Sequence, residues 1–154
     1  NEMGDFNPIP GRTTRSGLIG TEPHLVAPGK NMLSSMTPII GAQGGKPILA
    51  IGSSGGRTII NTVMQVILNV IDFDMNIGQA IEAGRIHHQW LPDITSFEYF
   101  GISPDTQRLY EMMGHRVRFR SAQGQAMGIY LDRNSGLLYG AADSRAFDGK
   151  AVGY

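Results

Sequence analysis

The sequence contains no cysteine, so disulfide bonds and thiolate chemistry are excluded. It has no excess charge of either sign, because 13 Lys and Arg balance 13 Asp and Glu, and it has no basic run. We therefore predict neither a nucleic-acid partner nor a membrane partner. The longest strongly apolar stretch, residues 59–71, is too short and too polar to span a bilayer. What remains is a chain of 154 residues, enough for one core, and we predict a single domain over 1–154.

Glycine, in contrast, is abundant, with 21 residues. Turn signals are frequent in 1–33, where apolar residues show little periodicity, and this predicts a long irregular segment. The first residues do not resemble a natural start. We expect the chain to be a processed product or a fragment of a longer one.

Two pairs of strand-like segments are joined by turn residues, which predicts two hairpins. The segments are 37–43 with 46–52, and 125–132 with 137–142. Gly44 and Gly45 form the first turn. Every residue of 47–51 is apolar, so we expect both faces of this strand to be buried.

Three segments have helical signals, and they are 59–71, 76–83 and 103–114. In the first, polar residues fall on one stripe and all other positions are apolar, which predicts a helix packed on most sides. Asn76 and Ser103 are placed as N-caps of the other two. Residues 85–100 are expected to be extended or irregular and 115–120 to form a strand. Hairpins with interposed helices predict an α+β fold with antiparallel sheets.

The most informative segment is GSSGG at 52–56, between an apolar strand and the first helix. Unpaired backbone N–H groups at such a turn can hold an anion or the oxyanion of a reacting carbonyl. A phosphate loop is disfavoured because its lysine is missing. Ser54 fits the G-x-S-x-G nucleophile elbow, although that fold needs a larger parallel sheet. The other readings are an oxyanion hole made by Gly55 and Gly56, or a turn that binds nothing.

Other polar pairs are weaker candidates. Ser34 and Ser35 could bind a carboxylate, or satisfy the local backbone. Glu2 and Asp5 could hold an ammonium group, or lie on a solvated terminus. The pair His87–His88 does not predict a metal site, because adjacent strand residues point in opposite directions. We predict no metal and no cofactor.

Taken together, these segments resemble the small subunit of gamma-glutamyltranspeptidase in order and spacing. The segments read NEMGDF at 1–6, PGKNMLSSMTP at 28–38, GSSGG at 52–56, VILNVID at 66–72 and RIHHQWLPD at 85–93. The resemblance covers nearly the whole chain and includes the Gly-Tyr ending. It implies an N-terminal nucleophile hydrolase fold, an αββα sandwich of two antiparallel sheets between helix layers, of which this chain is a part.

The resemblance also implies a reaction. A proenzyme cleaves itself and exposes a threonine, which attacks the gamma-glutamyl amide of glutathione or a similar donor, and water or an amine accepts the acyl group. Glu2 and Asp5 would hold the donor's α-ammonium. Its α-carboxylate would be bound by Ser34 and Ser35, with an arginine of the large subunit. The N–H groups of 55 and 56 would stabilise the oxyanion.

The sequence departs from this family pattern at several points. The family's nucleophilic threonine precedes the segment that matches Asn1, so the isolated chain is expected to be inactive. Residues 10–21 match the family's lid-like loop, and Ser16 stands there where some bacterial members have an aromatic residue, which predicts a more open acceptor side. Gly4 replaces a frequent Asp. Ser54 stands where the family commonly has Pro, which argues against a nucleophilic role.

Two alternatives remain open at this point. One is a related amidase of the same superfamily, such as a cephalosporin acylase or a poly-gamma-glutamate depolymerase. The other is a non-catalytic module that binds gamma-glutamyl compounds. From the resemblance alone we expect a periplasmic or secreted bacterial protein with the large subunit as its partner.

Overall fold

The computed structural model describes residues 3–31 and 33–153, and it contains two sheets and three α-helices in that part of the chain. The strands are β1 (Ile39–Gln43), β2 (Lys46–Ser54), β3 (Ile86–His87), β4 (Thr95–Glu98), β5 (Val117–Arg120), β6 (Gln125–Leu131) and β7 (Leu138–Ala142). The helices are α1 (Ile59–Ile71), α2 (Ile77–Glu82) and α3 (Pro104–Met112). Short 3-10 helices lie at Met3–Asp5, Glu22–His24 and Gly56–Thr58. The expected α+β class is confirmed.

The larger sheet has the order β1-β2-β6-β7 and is antiparallel throughout. Both predicted hairpins are present in it. Gly44 and Gly45 have φ angles of 58° and 75°, the left-handed values that a tight two-residue hairpin turn requires at both positions. The central pairing of β2 with β6 joins the two hairpins and brings Ser54 opposite Gln125.

The smaller sheet has the order β3-β4-β5 and differs from the expectation. Residues 85–100, which were expected to be extended or irregular, contain β3 and β4. The sheets, however, were expected to be antiparallel. The pair β4–β5 is parallel, and α3 provides the crossover between the two strands. Phe97 and Phe119 face each other on this pair, with ring centroids 6.5 Å apart.

Helix caps agree with the sequence prediction. Asn76 accepts a hydrogen bond from the N–H of Gln79, and the Gln79 side chain returns to the Asn76 backbone, which makes a complete capping box. Ser103 caps α3 by accepting from the Thr106 N–H. These local bonds fix where both helices begin.

Helix α1 packs on fewer sides than predicted. Val63 and Val66 are 1% exposed and pack with Leu49 and Ile51 of β2. The polar stripe faces inward: the Gln65 side chain exchanges hydrogen bonds with the backbone of Ile86 in β3. The outer, apolar side is open, and it carries the exposed residues Ile60, Met64 and Ile71.

Strand β2 was expected to be buried on both faces, and that expectation is wrong for this chain. Leu49 and Ile51 are buried against α1, whereas Ala50 between them is exposed. Ala50 lies on the open face of the larger sheet, which we call the open sheet face. This face also carries the exposed residues Ile40 and Met127, and it lines a groove of about 760 Å³. In the described part of the chain no helix combines the length and the apolar character of a membrane span.

Candidate active site

The glycine-rich turn lies where β2 passes into α1. Gly55 has φ 134° and Gly56 has φ 57°, and the 3-10 turn Gly56–Thr58 follows directly. The Thr58 hydroxyl donates to the Gly55 carbonyl oxygen at 2.9 Å, which holds that carbonyl toward the protein. Within residues 3–31 and 33–153, neither glycine N–H donates a hydrogen bond. The turn therefore offers two available donors at the amino end of a helix.

The two glycines differ in the space around them. A side chain at Gly55 would put its Cβ 2.6 Å from the Thr58 Oγ1 and 2.8 Å from the Gly124 Cα. A Cβ at Gly56 would meet nothing within 4 Å. Gly55 is thus required by packing and by its backbone angle, whereas Gly56 is required by its backbone angle alone.

The fold brings most of the predicted site residues to this turn. Asp5 and Ser35 line a cavity of about 410 Å³ together with Gly55 and Gly56. A second cavity, of about 210 Å³, is lined by Asp5, Ser34 and Ser35 and by residues of the loop at 10–21. Because Asp5 and Ser35 line both, the two cavities are neighbouring parts of one region, which we call the donor pocket. Glu2 lies outside the described residues.

The hydroxyls of the donor pocket are differently exposed. The Ser34 side chain is exposed and its Oγ accepts from the Met36 N–H at 3.2 Å, while Ser35 is half-buried. Asp5 is also half-buried. The pocket thus offers hydroxyl donors on one side and a carboxylate on another. This is the complement of an α-amino acid, whose carboxylate accepts hydrogen bonds and whose ammonium group donates them.

The serine-elbow arrangement is not assembled. The Ser54 hydroxyl donates to the Gln125 side-chain oxygen at 2.9 Å. His115 stacks on Tyr110, with centroids 4.1 Å apart, and Asp93 pairs with His88. In the described residues no histidine therefore bonds to this serine, and a triad needs such a bond.

The histidine pair is not arranged as a metal centre. His87 is 6% exposed, its ring nitrogens lie 2.8 Å from the Asn61 Oδ1 and 2.9 Å from the Gln89 Oε1, and burial lowers its pKa. His88 pairs instead with the Asp93 carboxylate at the surface. Among the described residues, no group of three or more His, Asp and Glu side chains could hold a metal ion.

Sequence reasoning missed a buried group of charges behind the turn, which we call the ionic cluster: Arg85, Glu98, Asp143 and Arg145. The Arg85 Nη2 lies 2.7 Å from the Asp143 Oδ2, and the Arg145 Nε lies 2.9 Å from the Glu98 Oε1. Burial by itself would raise the pKa of Asp143, but hydrogen bonds from the backbone and from both arginines outweigh it and hold the pKa below its ordinary value.

The ionic cluster is bonded to the segment that supports the glycine turn. Arg85 donates to the Gln123 carbonyl at 2.7 Å, and the Gln123 N–H donates to Glu98 at the same distance. Gly124, the next residue, is the one that packs against Gly55. No local sequence pattern marks these residues, because the partners Arg85 and Asp143 are 58 positions apart.

The fold is that of the N-terminal nucleophile hydrolases, and comparison with solved structures and sequences narrows the class. The chain superposes on gamma-glutamyltranspeptidase from Helicobacter pylori with a TM-score of 0.86 at 39% identity, over 95% of this chain and 80% of that one. It is 44% identical over its whole length to the glutathione hydrolase proenzyme of Escherichia coli (strain K12). The model of the gamma-glutamyltranspeptidase family matches residues 1–154. The protein belongs to this family.

More distant structures share the fold alone. A cephalosporin acylase from Bacillus halodurans superposes with a TM-score of 0.74 at 24% identity, covering 85% of this chain and 25% of that one. The chain itself spans about a quarter of the curated relatives it matches, 26% of the Escherichia coli protein and 28% of the one from Pseudomonas sp. (strain A14).

Proposed function

We propose that this chain is the small-subunit part of an enzyme that transfers the gamma-glutamyl group of glutathione or a similar donor to water, an amino acid or a peptide. The observation that carries the proposal is the donor pocket. It joins a carboxylate, two hydroxyls and two available backbone donors, which come from three segments distant in sequence.

In this proposal the pocket recognises the free α-amino acid end of the donor. Asp5, with Glu2, holds the α-ammonium group, and Ser34 and Ser35 hold the α-carboxylate with an arginine from the large subunit. Charge-assisted bonds of this kind are short and directional, so they orient the donor as well as bind it. The side-chain amide of the glutamyl group then points along the cavity toward the turn formed by 55 and 56.

The chemical step uses the backbone donors. A threonine hydroxyl from the upstream segment adds to the amide carbonyl, and the electron pair moves to oxygen. The N–H groups of Gly55 and Gly56 stabilise this oxyanion, an effect whose loss costs on the order of 10²–10³ in rate per donor. Collapse expels the protonated amine and leaves an acyl-threonine, which water or a second amine then cleaves by the same route.

The partner in this proposal is the large subunit of the same proenzyme. An αββα sandwich needs a second sheet packed about 10 Å from the first. The open sheet face, with Ile40, Ala50 and Met127 exposed, has the apolar surface that such packing would bury. We propose that the remainder of the enzyme contributes that second sheet, and that the protein works in the periplasm or outside the cell, as the resemblance implies.

The related amidases fit the pocket less well. We infer that Asp5 and the serine pair favour a donor with a free α-amino acid end over the substrates of a cephalosporin acylase or a poly-gamma-glutamate depolymerase. The structural likeness to the acylase is at the level of fold, and the relatives with higher identity are glutathione hydrolases.

The test is release of a chromogenic amine from a gamma-glutamyl donor, assayed with the chain alone and with its upstream segment and large subunit. We expect activity only in the complete assembly, dependent on the upstream threonine. In that assembly, joint replacement of Ser34 and Ser35 by Ala should raise KM for the donor, while the exposed Ser121→Ala serves as the matched control. Activity of the isolated chain that is lost in Ser54→Ala would overturn the proposal.

A further inference from the structure

The loop at 10–21 forms one wall of the donor pocket. Gly17, Leu18 and Ile19 line the same cavity of about 210 Å³ as Ser34 and Ser35. The position of this loop therefore sets the shape of the space beside the proposed substrate. The position of this wall depends on the contacts that hold the loop in place.

The base of the loop is fixed by a buried asparagine. Asn7 is 0% exposed, and its side-chain nitrogen donates to the carbonyls of Arg12 and Leu18 at 2.8 and 2.9 Å. A backbone bond from Gly11 to Gly20 at 2.8 Å closes the two arms of the loop. These contacts hold the arms together, but they do not attach the tip of the loop to the rest of the protein.

Among residues 3–31 and 33–153, two hydrogen bonds from outside the loop meet at its tip on one backbone atom, the carbonyl oxygen of Ser16. It accepts a hydrogen bond from the Arg57 guanidinium and a second, at 2.9 Å, from the Gln89 side-chain amide. Arg57 directly follows the two site glycines, while Gln89 follows β3. Two separate elements therefore converge on this carbonyl. The fit is close, because a Cβ at Gly17 would come within 3.1 Å of the Leu91 carbonyl oxygen and 3.4 Å of the Arg57 Nη1.

The orientation of Gln89 is itself fixed. Its Nε2 donates to the carbonyls of Ser16 and Leu91, so its Oε1 faces the buried His87 and accepts from the ring Nε2 at 2.9 Å. Burial lowers the pKa of His87, the hydrogen bond with Gln89 acts against this shift, and nearby arginines add to it. Because the Gln89 Oε1 can only accept, the ring Nε2 of His87 carries a proton in this arrangement.

We propose that Arg57 and Gln89 are positioning residues of the gamma-glutamyl reaction, which clasp the Ser16 carbonyl and so hold residues 17–19 as a wall of the donor pocket. This inference rests on the proposed function. Because the contact is made to a carbonyl, the clasp does not depend on which side chain stands at position 16. It also links the loop to the glycine turn, since Arg57 belongs to the 3-10 turn that carries Gly56.

The experiment uses the complete two-subunit assembly with Arg57→Met, Arg57→Lys and Gln89→Met. Limited trypsin digestion with mass spectrometry reports cleavage after the exposed Arg12 and Arg15 in the loop, and cleavage after Arg133 in a distant turn is the internal reference. We expect both Met variants to be cut about tenfold faster in the loop. Arg57→Met loses a hydrogen bond from a charged group, and Gln89→Met loses the amide donor. Arg57→Lys, which keeps a cationic donor, should recover part of the protection.

Steady-state kinetics distinguish a residue that positions the pocket wall from one that only stabilises the fold. The Met variants should raise KM for the donor about tenfold with kcat changed less than about twofold, because the wall acts on binding. Arg108→Met, which removes a distant exposed arginine, should change neither readout. Unchanged loop cleavage, or faster cleavage with unchanged KM, would overturn the inference. A wild-type assembly that cleaves no gamma-glutamyl donor would refute the proposed function instead. The digestion would still test whether Arg57 and Gln89 hold the loop in place.

Discussion

The glycine turn and the ionic cluster are two polar centres built in opposite ways. The turn presents to open cavities backbone donors that have no partner among the described residues, and its residues 52–56 carry no charge. The ionic cluster has charged side chains that are almost fully buried and bonded to one another. Only Gln123 and Gly124 separate them. The backbone N–H groups that the glycine turn leaves available for a ligand are thus supported by the ionic cluster, whose own polar groups are largely hydrogen-bonded.

The largest effect on stability is expected when one charge of the buried pair Arg85 and Asp143 is removed. Asp143→Asn leaves the Arg85 guanidinium buried without its counterion, and we expect a loss of about 3–5 kcal/mol in the free energy of unfolding. Urea unfolding measures it. The matched control is Asp105→Asn, which removes an exposed partner of Arg108 and should cost less than about 1 kcal/mol. Equal effects of the two substitutions would show that the ionic cluster is not a special support.

The next test compares the two glycines of the turn. Gly55→Ala forces a Cβ against Thr58 and Gly124 as well as straining the backbone, so it should destabilise the protein by roughly 2–4 kcal/mol. Gly56→Ala meets open space and should cost only about 1–2 kcal/mol from its left-handed backbone. Thermal unfolding of both variants gives the ranking, and the reverse order would contradict the packing described for this turn.

A smaller effect is expected from pH. His87 has a lowered pKa in the folded state, so the unfolded chain takes up its proton more readily and stability falls as the pH drops below about 6.5. Asp143 also has a lowered pKa, so its contribution is present above its ordinary value, near 3.9, and is lost as the pH falls through the folded value. Urea midpoints measured across this range should show both losses. Asp143→Asn should not show the loss of stability at the lower pH. An unchanged loss of stability in acid would contradict its assignment to Asp143.

The smallest effect is expected at Ser54. In the part of the chain that the structure describes, its exposed hydroxyl bonds to the Gln125 side chain alone, so Ser54→Ala should change stability by less than about 0.5 kcal/mol. In the complete assembly, the rate of gamma-glutamyl transfer should stay within about twofold of the unchanged protein. A large loss of rate would move the chemistry from the backbone of the turn to this side chain.

The sequence predicted what depends on neighbours along the chain. Gly44 and Gly45 specify a hairpin turn by their backbone freedom, and Asn76 and Ser103 specify helix starts by their own hydrogen bonds. The glycine turn was also found this way, from a strand and a helix on either side of it. The local pattern left the oxyanion, ammonium and carboxylate roles of the site residues as open alternatives, the family resemblance favoured them, and they remain predictions.

What the sequence could not predict depends on distant pairing. The parallel contact of β4 with β5 exists because α3 carries the chain back across the sheet, and four-residue strands give too short a pattern to reveal it. The pairing of Arg85 with Asp143 is equally non-local, and both residues look like ordinary surface charges in the sequence. The exposure of Ala50 was missed for a different reason: an apolar run does not say which neighbour covers each face.

The available N–H groups of Gly55 and Gly56 have one further consequence. An amide does not ionise in the pH range where proteins remain folded, and reagents that modify side chains do not touch it. The oxyanion donors would therefore work equally well in mild acid and mild base. Any pH dependence of the proposed transfer must then come from other groups, such as the attacking hydroxyl, its base, the substrate amine or the carboxylates that bind the donor. A bell-shaped rate profile would describe groups outside this turn.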